Sequence, residues 1–112
     1  MLYIDDEKNI HLTRGDSANI TVIITDMDGE TYEIKATDTV LFTVKINCNT
    51  ENIIIQKTIG VSGVISLLPE DTEDLKYGTY YYDVQLETQG GSVYTVLGVN
   101  KFILEKEVTF NE

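Results

Sequence analysis

The stretch Leu75-Lys76-Tyr77-Gly78-Thr79-Tyr80-Tyr81-Tyr82-Asp83-Val84-Gln85-Leu86 announces a β-sandwich before any other part of the chain does. A glycine two residues ahead of a tyrosine, opening a run of alternating residues, is a common way to write a sandwich corner. The tyrosine ring enters the core and its hydroxyl bonds to backbone just upstream. Tyr80 stands in that place. Successive side chains of a strand point to opposite faces. With Tyr80, Tyr82, Val84 and Leu86 turned inward, Tyr81, Asp83 and Gln85 share the other face.

Downstream, Gly90-Gly91 separates this strand from a second one around residues 93–97. If the two glycines alone formed the loop, Leu86 would pair with Thr95. A three-residue loop pairs it instead with Tyr94 or Val96 on its own face. Burial sets register, so a three-residue loop with a glycine bulge is expected. The outward face of this ribbon then carries Tyr81, Asp83 and Gln85 beside Val93, Thr95 and Leu97. That is an apolar and aromatic set for a surface meant only for water, and Tyr81, Asp83, Gln85, Val93 and Leu97 form the candidate interface. A final strand reads from Phe102 to Val108, leaving Thr109 to Glu112 as a tail.

Upstream, Val64 to Leu68 reads as a strand. Pro69-Glu70-Asp71-Thr72-Glu73-Asp74-Leu75 follows, with proline at a first helical position and acids in the first turn. One short helical turn near residues 69–75 should cross between sheets there. Nearer the N-terminus, Lys8 to Leu12 forms a short strand ended by Arg14-Gly15-Asp16. Ala18, Ile20, Val22 and Ile24 then alternate with Asn19, Thr21, Ile23 and Thr25. Asp26-Met27-Asp28-Gly29 is turn chemistry, and Thr31 to Lys35 returns, so residues 18–35 read as a hairpin. Val40, Phe42, Val44 and Ile46 alternate in the same way and pair with Ile53 to Ile59 as a second hairpin. Three consecutive isoleucines on an open edge would invite aggregation. That strand is therefore expected to be paired, with Glu51 and Lys57 as flanking charges. These readings add up to one all-β domain over residues 1–112: an immunoglobulin-like antiparallel β-sandwich without a disulfide.

Composition narrows the function. A chain of 112 residues suffices for one self-supporting core. Eight basic against nineteen acidic residues give a formal charge of −11, a field that repels nucleic-acid phosphate and anionic membranes. The densest positive charge is only Lys101 with Lys106. The single cysteine, Cys48, allows no intrachain disulfide. No run approaches the roughly 18 apolar residues of a membrane span, and the N-terminus lacks the basic region of a signal peptide. Synthesis and folding in a cytoplasm are expected, with no nucleic-acid partner and no membrane insertion.

Short motifs add little chemistry. Arg14-Gly15-Asp16-Ser17 spells a cell-attachment tripeptide, yet a turn between strands needs its glycine for backbone reasons alone. Placing Gly29 at the sixth position of a calcium loop puts Ile24 first and Lys35 twelfth, where a bidentate glutamate is required, so an EF-hand is excluded. An irregular calcium site from Asp26, Asp28 and Glu30 stands beside the blander reading of a solvated turn, which is preferred. Asn19-Ile20-Thr21 matches a glycosylation acceptor but lies in mid-strand. His11 and Cys48 are the sole histidine and cysteine, so a nucleophile–base pair would have to use both. No catalytic residue, metal or cofactor is expected. A glycan-binding face built from Tyr77, Tyr81 and Tyr94 is the rival from another class, without tryptophan to supply the best stacking platform.

The order of motifs carries a resemblance. Leu12-Thr13-Arg14-Gly15-Asp16 comes first, then Asp38-Thr39-Val40-Leu41-Phe42-Thr43-Val44-Lys45, Leu68-Pro69-Glu70-Asp71-Thr72, the Tyr77 to Leu86 strand, and Phe102 to Thr109. This series resembles small β-sandwich structural proteins of tailed phages and prophages of Firmicutes, and in particular the N-terminal domain of phage upper baseplate proteins. The resemblance implies a non-enzymatic assembly module of the virion, made in the bacterial host cytoplasm. Such a module acts by docking to other phage structural proteins or to copies of itself. Ending at Glu112 without the extension such baseplate proteins carry, the chain is expected to be a decoration or accessory protein of head or tail. The alternative is a carbohydrate-binding module contacting host glycans.

Overall fold

The computed structural model describes residues 2–26, 28–47 and 49–106. In chain order the elements are β1 (Leu2–Ile4), β2 (Ile10–Thr13), β3 (Ala18–Thr21), β4 (Ile24–Thr25), β5 (Thr31–Tyr32) and β6 (Thr39–Lys45). They continue as β7 (Ile53–Ile59), β8 (Val64–Leu67), α1 (Pro69–Thr72), β9 (Gly78–Glu87) and β10 (Val93–Glu105). A six-stranded sheet runs β1-β2-β10-β9-β6-β7, while β3 pairs with β8 and β4 with β5. Alternation explains the layering. Val40, Phe42 and Val44 of β6, Tyr80, Tyr82, Val84 and Leu86 of β9, and Phe102 and Leu104 of β10 are all buried. They meet Ala18 and Ile20 of β3 and Ile65 and Leu67 of β8 in one apolar cluster. The fold is thus an all-β sandwich, with the large sheet covered on one face by the β3–β8 pair.

The connectivity is immunoglobulin-like. A short strand, β2, lies beside the last strand, β10, and β9 and β6 follow it in the same sheet. The strand that enters the opposite layer, β3, pairs there with β8. The corner forms as expected. Tyr80 is buried and its hydroxyl donates to the Lys76 carbonyl at 2.8 Å, while Gly78 takes φ +140° at the strand's start. Helix α1 carries the chain from β8 to β9, and the Asp71 carboxylate accepts the Leu68 amide at its N-terminal end.

Several expectations need correction. The sandwich is not wholly antiparallel, because β10 runs parallel to β2, pairing Phe102 with Ile10 and Leu104 with Leu12. Residues 18–35 are not one hairpin. The alternation of Ala18 to Thr25 holds, but β3 pairs with β8 and only the two-residue strands β4 and β5 close on each other. Propensity marks strands; it does not choose partners among distant ones. Strand β7 is paired to β6 along one side only and ends the sheet. Its protection comes from a register shift opposite Val44/Lys45 and from Lys57. That residue stands across from buried Phe42 and pairs with Asp71 at 2.9 Å. Irregularity and an inward-pointing charge both deter edge-to-edge pairing. Residues 93–105 form a single strand rather than two. Met27, Cys48 and the expected strand end and tail at residues 107–112 lie outside the described residues.

Candidate functional site

The β9–β10 hairpin closes as the burial argument requires. Thr88 donates to the Ser92 carbonyl and Gly91, at φ +88°, donates to Thr88, leaving a three-residue loop that sets Leu86 opposite Tyr94. Val93 then faces Glu87 and Thr95 faces Gln85, both on the outer side of the sheet. Beyond Thr95 the register shifts twice. The first shift sets Leu97 opposite the buried Val84, so Leu97 packs against the core and does not join Tyr81, Asp83 and Gln85. It lines an apolar hollow of about 280 Å³ between the layers with Ile20, Val22, Val84 and Val96. One extra residue in a strand reverses the facing of every residue after it. The second shift restores the parity, returning Lys101 to Tyr81 and Phe102 to Tyr80.

Strand β6 supplies the other half of the face. Its buried residues fix Leu41, Thr43 and Lys45 outward, and pairing with β9 sets Leu41 beside Gln85, Thr43 beside Asp83 and Lys45 beside Tyr81. Strand β7 adds Gln56, whose side-chain amide donates to the Thr43 hydroxyl at 3.2 Å. Between these rows lies a cleft of about 290 Å³ lined by Leu41, Thr43, Lys45, Gln56, Tyr81, Asp83, Gln85 and Val99. Of the five residues expected to form one surface, Tyr81, Asp83 and Gln85 line this cleft. Val93 lies beyond its end at the hairpin, and Leu97 lies on the opposite side of the sheet. The outward set of β6 was readable from its alternation, but its place beside β9 depends on a pairing across some forty residues of chain. Val99 keeps the outward parity of Val93 and Thr95 because the two shifts cancel, and it lines the cleft.

Asp83 is the chemically distinctive group of this face. It is half-buried, and among the described residues no group donates a hydrogen bond to its carboxylate. Partial burial raises its pKa above the ordinary carboxylate value, and the positive charge of Lys45 works the other way. Exposed apolar side chains border the region: Val99 is 58% exposed and Ile53, opposite Lys45, is 49% exposed.

The other candidates have structural employment. Arg14 donates to the Leu75 carbonyl at 3.0 Å and to the Tyr77 hydroxyl at 2.8 Å, with its guanidinium 4.1 Å from the centre of the Tyr77 ring. Gly15 is buried at φ +83°. The cell-attachment tripeptide is a structural turn here. Asp26 accepts the amides of Asp28 and Glu30 in a local turn, and among the described residues no group of three or more His, Cys, Asp or Glu is arranged to hold a metal ion. His11 lies on the outer side of β2, 3.1 Å from an Asp5 oxygen and 4.0 Å from Glu105. Tyr77, Tyr81 and Tyr94 do not share a surface. Tyr77 is engaged with Arg14, Tyr81 faces the cleft, and Tyr94 stands opposite Leu86 on the core side.

No helix among the described residues is long and apolar enough to cross a membrane. Comparison with protein-family models, with curated proteins and with solved structures finds no match to this chain.

Proposed function

We propose that this chain is a non-enzymatic assembly module of a tailed-phage or prophage virion, serving in the baseplate or tail or as a head decoration, and that it works by docking the outer face of its six-stranded sheet onto another structural protein. The virion setting rests on the order of sequence motifs. The docking mechanism rests on one observation: the open face of the β6–β9–β10 ribbon carries a cleft with a half-buried carboxylate that accepts no hydrogen bond among the described residues, and exposed apolar side chains nearby. A sheet face meant for water alone is normally plainly polar. A rigid sandwich repeated on a symmetric particle gains strength from many weak contacts at high effective concentration, so each interface need not be large.

The test is Tyr81→Glu in the source phage, with particles purified and analysed for the protein. The expected result is loss of the protein from particles while its thermal unfolding in isolation is nearly unchanged. Normal incorporation would overturn the docking face. The cleft, with polar side chains beside the Tyr81 ring, also supports a second reading, a carbohydrate-binding module. In that case saturating soluble bacterial polysaccharide raises the melting temperature through linkage.

A further inference from the structure

We infer that the outer cleft is a receptor for an arginine side chain of a different protein, with Asp83 as its anchor and the Tyr81 ring beside it. This inference rests on the docking reading and names the partner's chemistry. A half-buried carboxylate with no donor among the described residues favours a partner that brings one, since charge-assisted hydrogen bonds in a sheltered site are the stronger kind. A carboxylate next to a tyrosine ring suits guanidinium better than ammonium. The planar fork meets both carboxylate oxygens, stacks on an aromatic face and is more weakly hydrated. The protein makes the same pairing internally, where Arg14 lies over Tyr77. Gln85 and Thr43, also lining the cleft, offer oxygen acceptors to the remaining guanidinium N–H groups.

Charge selects the same class of partner. A net charge of −11 draws cationic segments from a distance. Lys45 lies on the same face, yet it makes no ion pair with Asp83 among the described residues. A second copy of this chain cannot supply the group, because Arg14 is the only arginine in the sequence and is already held by Leu75 and Tyr77. The occupant is therefore a different protein. A saccharide fits less well, because of the two tyrosines at the cleft Tyr82 is buried with its hydroxyl held by the Lys8 carbonyl, and Tyr77 and Tyr94 lie elsewhere.

The experiment is an NMR titration of the isotope-labelled protein with N-acetyl-arginine amide, N-acetyl-lysine amide and maltotriose in parallel. The arginine compound should move the backbone amides around Thr43, Tyr81, Asp83 and Gln85 and bind at least about fivefold tighter than the lysine compound. Asp83→Asn should weaken it at least about tenfold, the scale of losing one charge-assisted contact. Tyr81→Leu, a second variant, should erode the preference for arginine over lysine. Equal binding of the two cations, insensitivity to Asp83→Asn, or shifts produced by maltotriose alone would each overturn the inference. In virions, exclusion of Tyr81→Glu together with full incorporation of Asp83→Asn would retain docking and reject the arginine anchor. Full incorporation of both would reject docking itself.

Discussion

The Thr72 hydroxyl oxygen accepts the backbone N–H of Gly15 at 2.8 Å, joining the turn after β2 to the helix that crosses between the layers. Thr72 is completely buried, so this amide has no water to turn to when its acceptor is removed. Thr72→Val keeps the shape and deletes the acceptor. It should cost about 1–3 kcal/mol, the range for a buried polar group left unsatisfied. Thr72→Ser should recover most of that loss. Urea unfolding of the pair checks both, and equal stability of the valine variant and the parent would refute the role.

The corner makes a separate demand. Tyr80→Phe keeps the buried ring and removes only the bond to the Lys76 carbonyl, so a loss of about 1 kcal/mol is expected. Gly78→Ala forces a side chain onto φ +140° and should cost about 1–3 kcal/mol. Chemical denaturation gives both numbers, with the alanine variant expected to be the less stable.

Acid should loosen the N-terminal hairpin. His11 beside the Asp5 carboxylate, chiefly, and the amides of Asn9 and Glu7 hold its pKa down at about 2 against an ordinary 3.8. A folded-state pKa below the unfolded one contributes stability above about pH 4 that disappears as pH falls through about 2. Asp5→Asn should therefore flatten the dependence of unfolding free energy on pH across that window. An unchanged acid limb would show that Asp5 does not carry it.

At the alkaline end the sign reverses. Burial, with a smaller contribution from Asp5, pushes the Tyr82 phenol up to about 12, and its hydroxyl donates to the Lys8 carbonyl. A raised folded-state value contributes stability that is whole below about pH 10 and is lost as pH climbs toward 12. Tyr82→Phe should have a shallower alkaline limb, and identical slopes for parent and variant would rule this group out.

Local chemistry was legible in the sequence wherever one strand or turn decided the outcome. Tyr80 with Gly78 announced the corner, the glycine pair and Leu86 gave the hairpin loop, and Pro69 with its acids marked the helix. Parity alone turns Tyr81, Asp83 and Gln85 outward, and they line one cleft. Leu97 faces the core, against its parity, because parity survives only until an extra residue enters the ladder; Gly98, a glycine inside a strand pattern, is the local sign of such an irregularity, but it does not reveal that there are two shifts or where the first one falls. Leu41, Thr43 and Lys45 were individually readable as outward. Their adjacency to Asp83 belongs to the pairing of β6 with β9, and the parallel meeting of β2 with β10 is likewise a contact between remote segments. Such long-range choices are made by the whole core rather than by local preference.

That parallel meeting sets an order for events on the ribosome. Strands β1 and β2 are translated first, yet their place in the sheet is beside β10, some ninety residues later in the chain. Until β10 emerges, the early hairpin has no neighbour to dock on, and the edge of β9 that β10 will cover stays open. The β6–β7 hairpin and its pairing with β9 are available sooner. The nascent chain should therefore gain its central strands first and its N-terminal hairpin last, in one late step that inserts β10 between two waiting edges. Closure across so long a stretch is slow relative to local pairing, and it leaves newly made chains briefly adhesive toward one another.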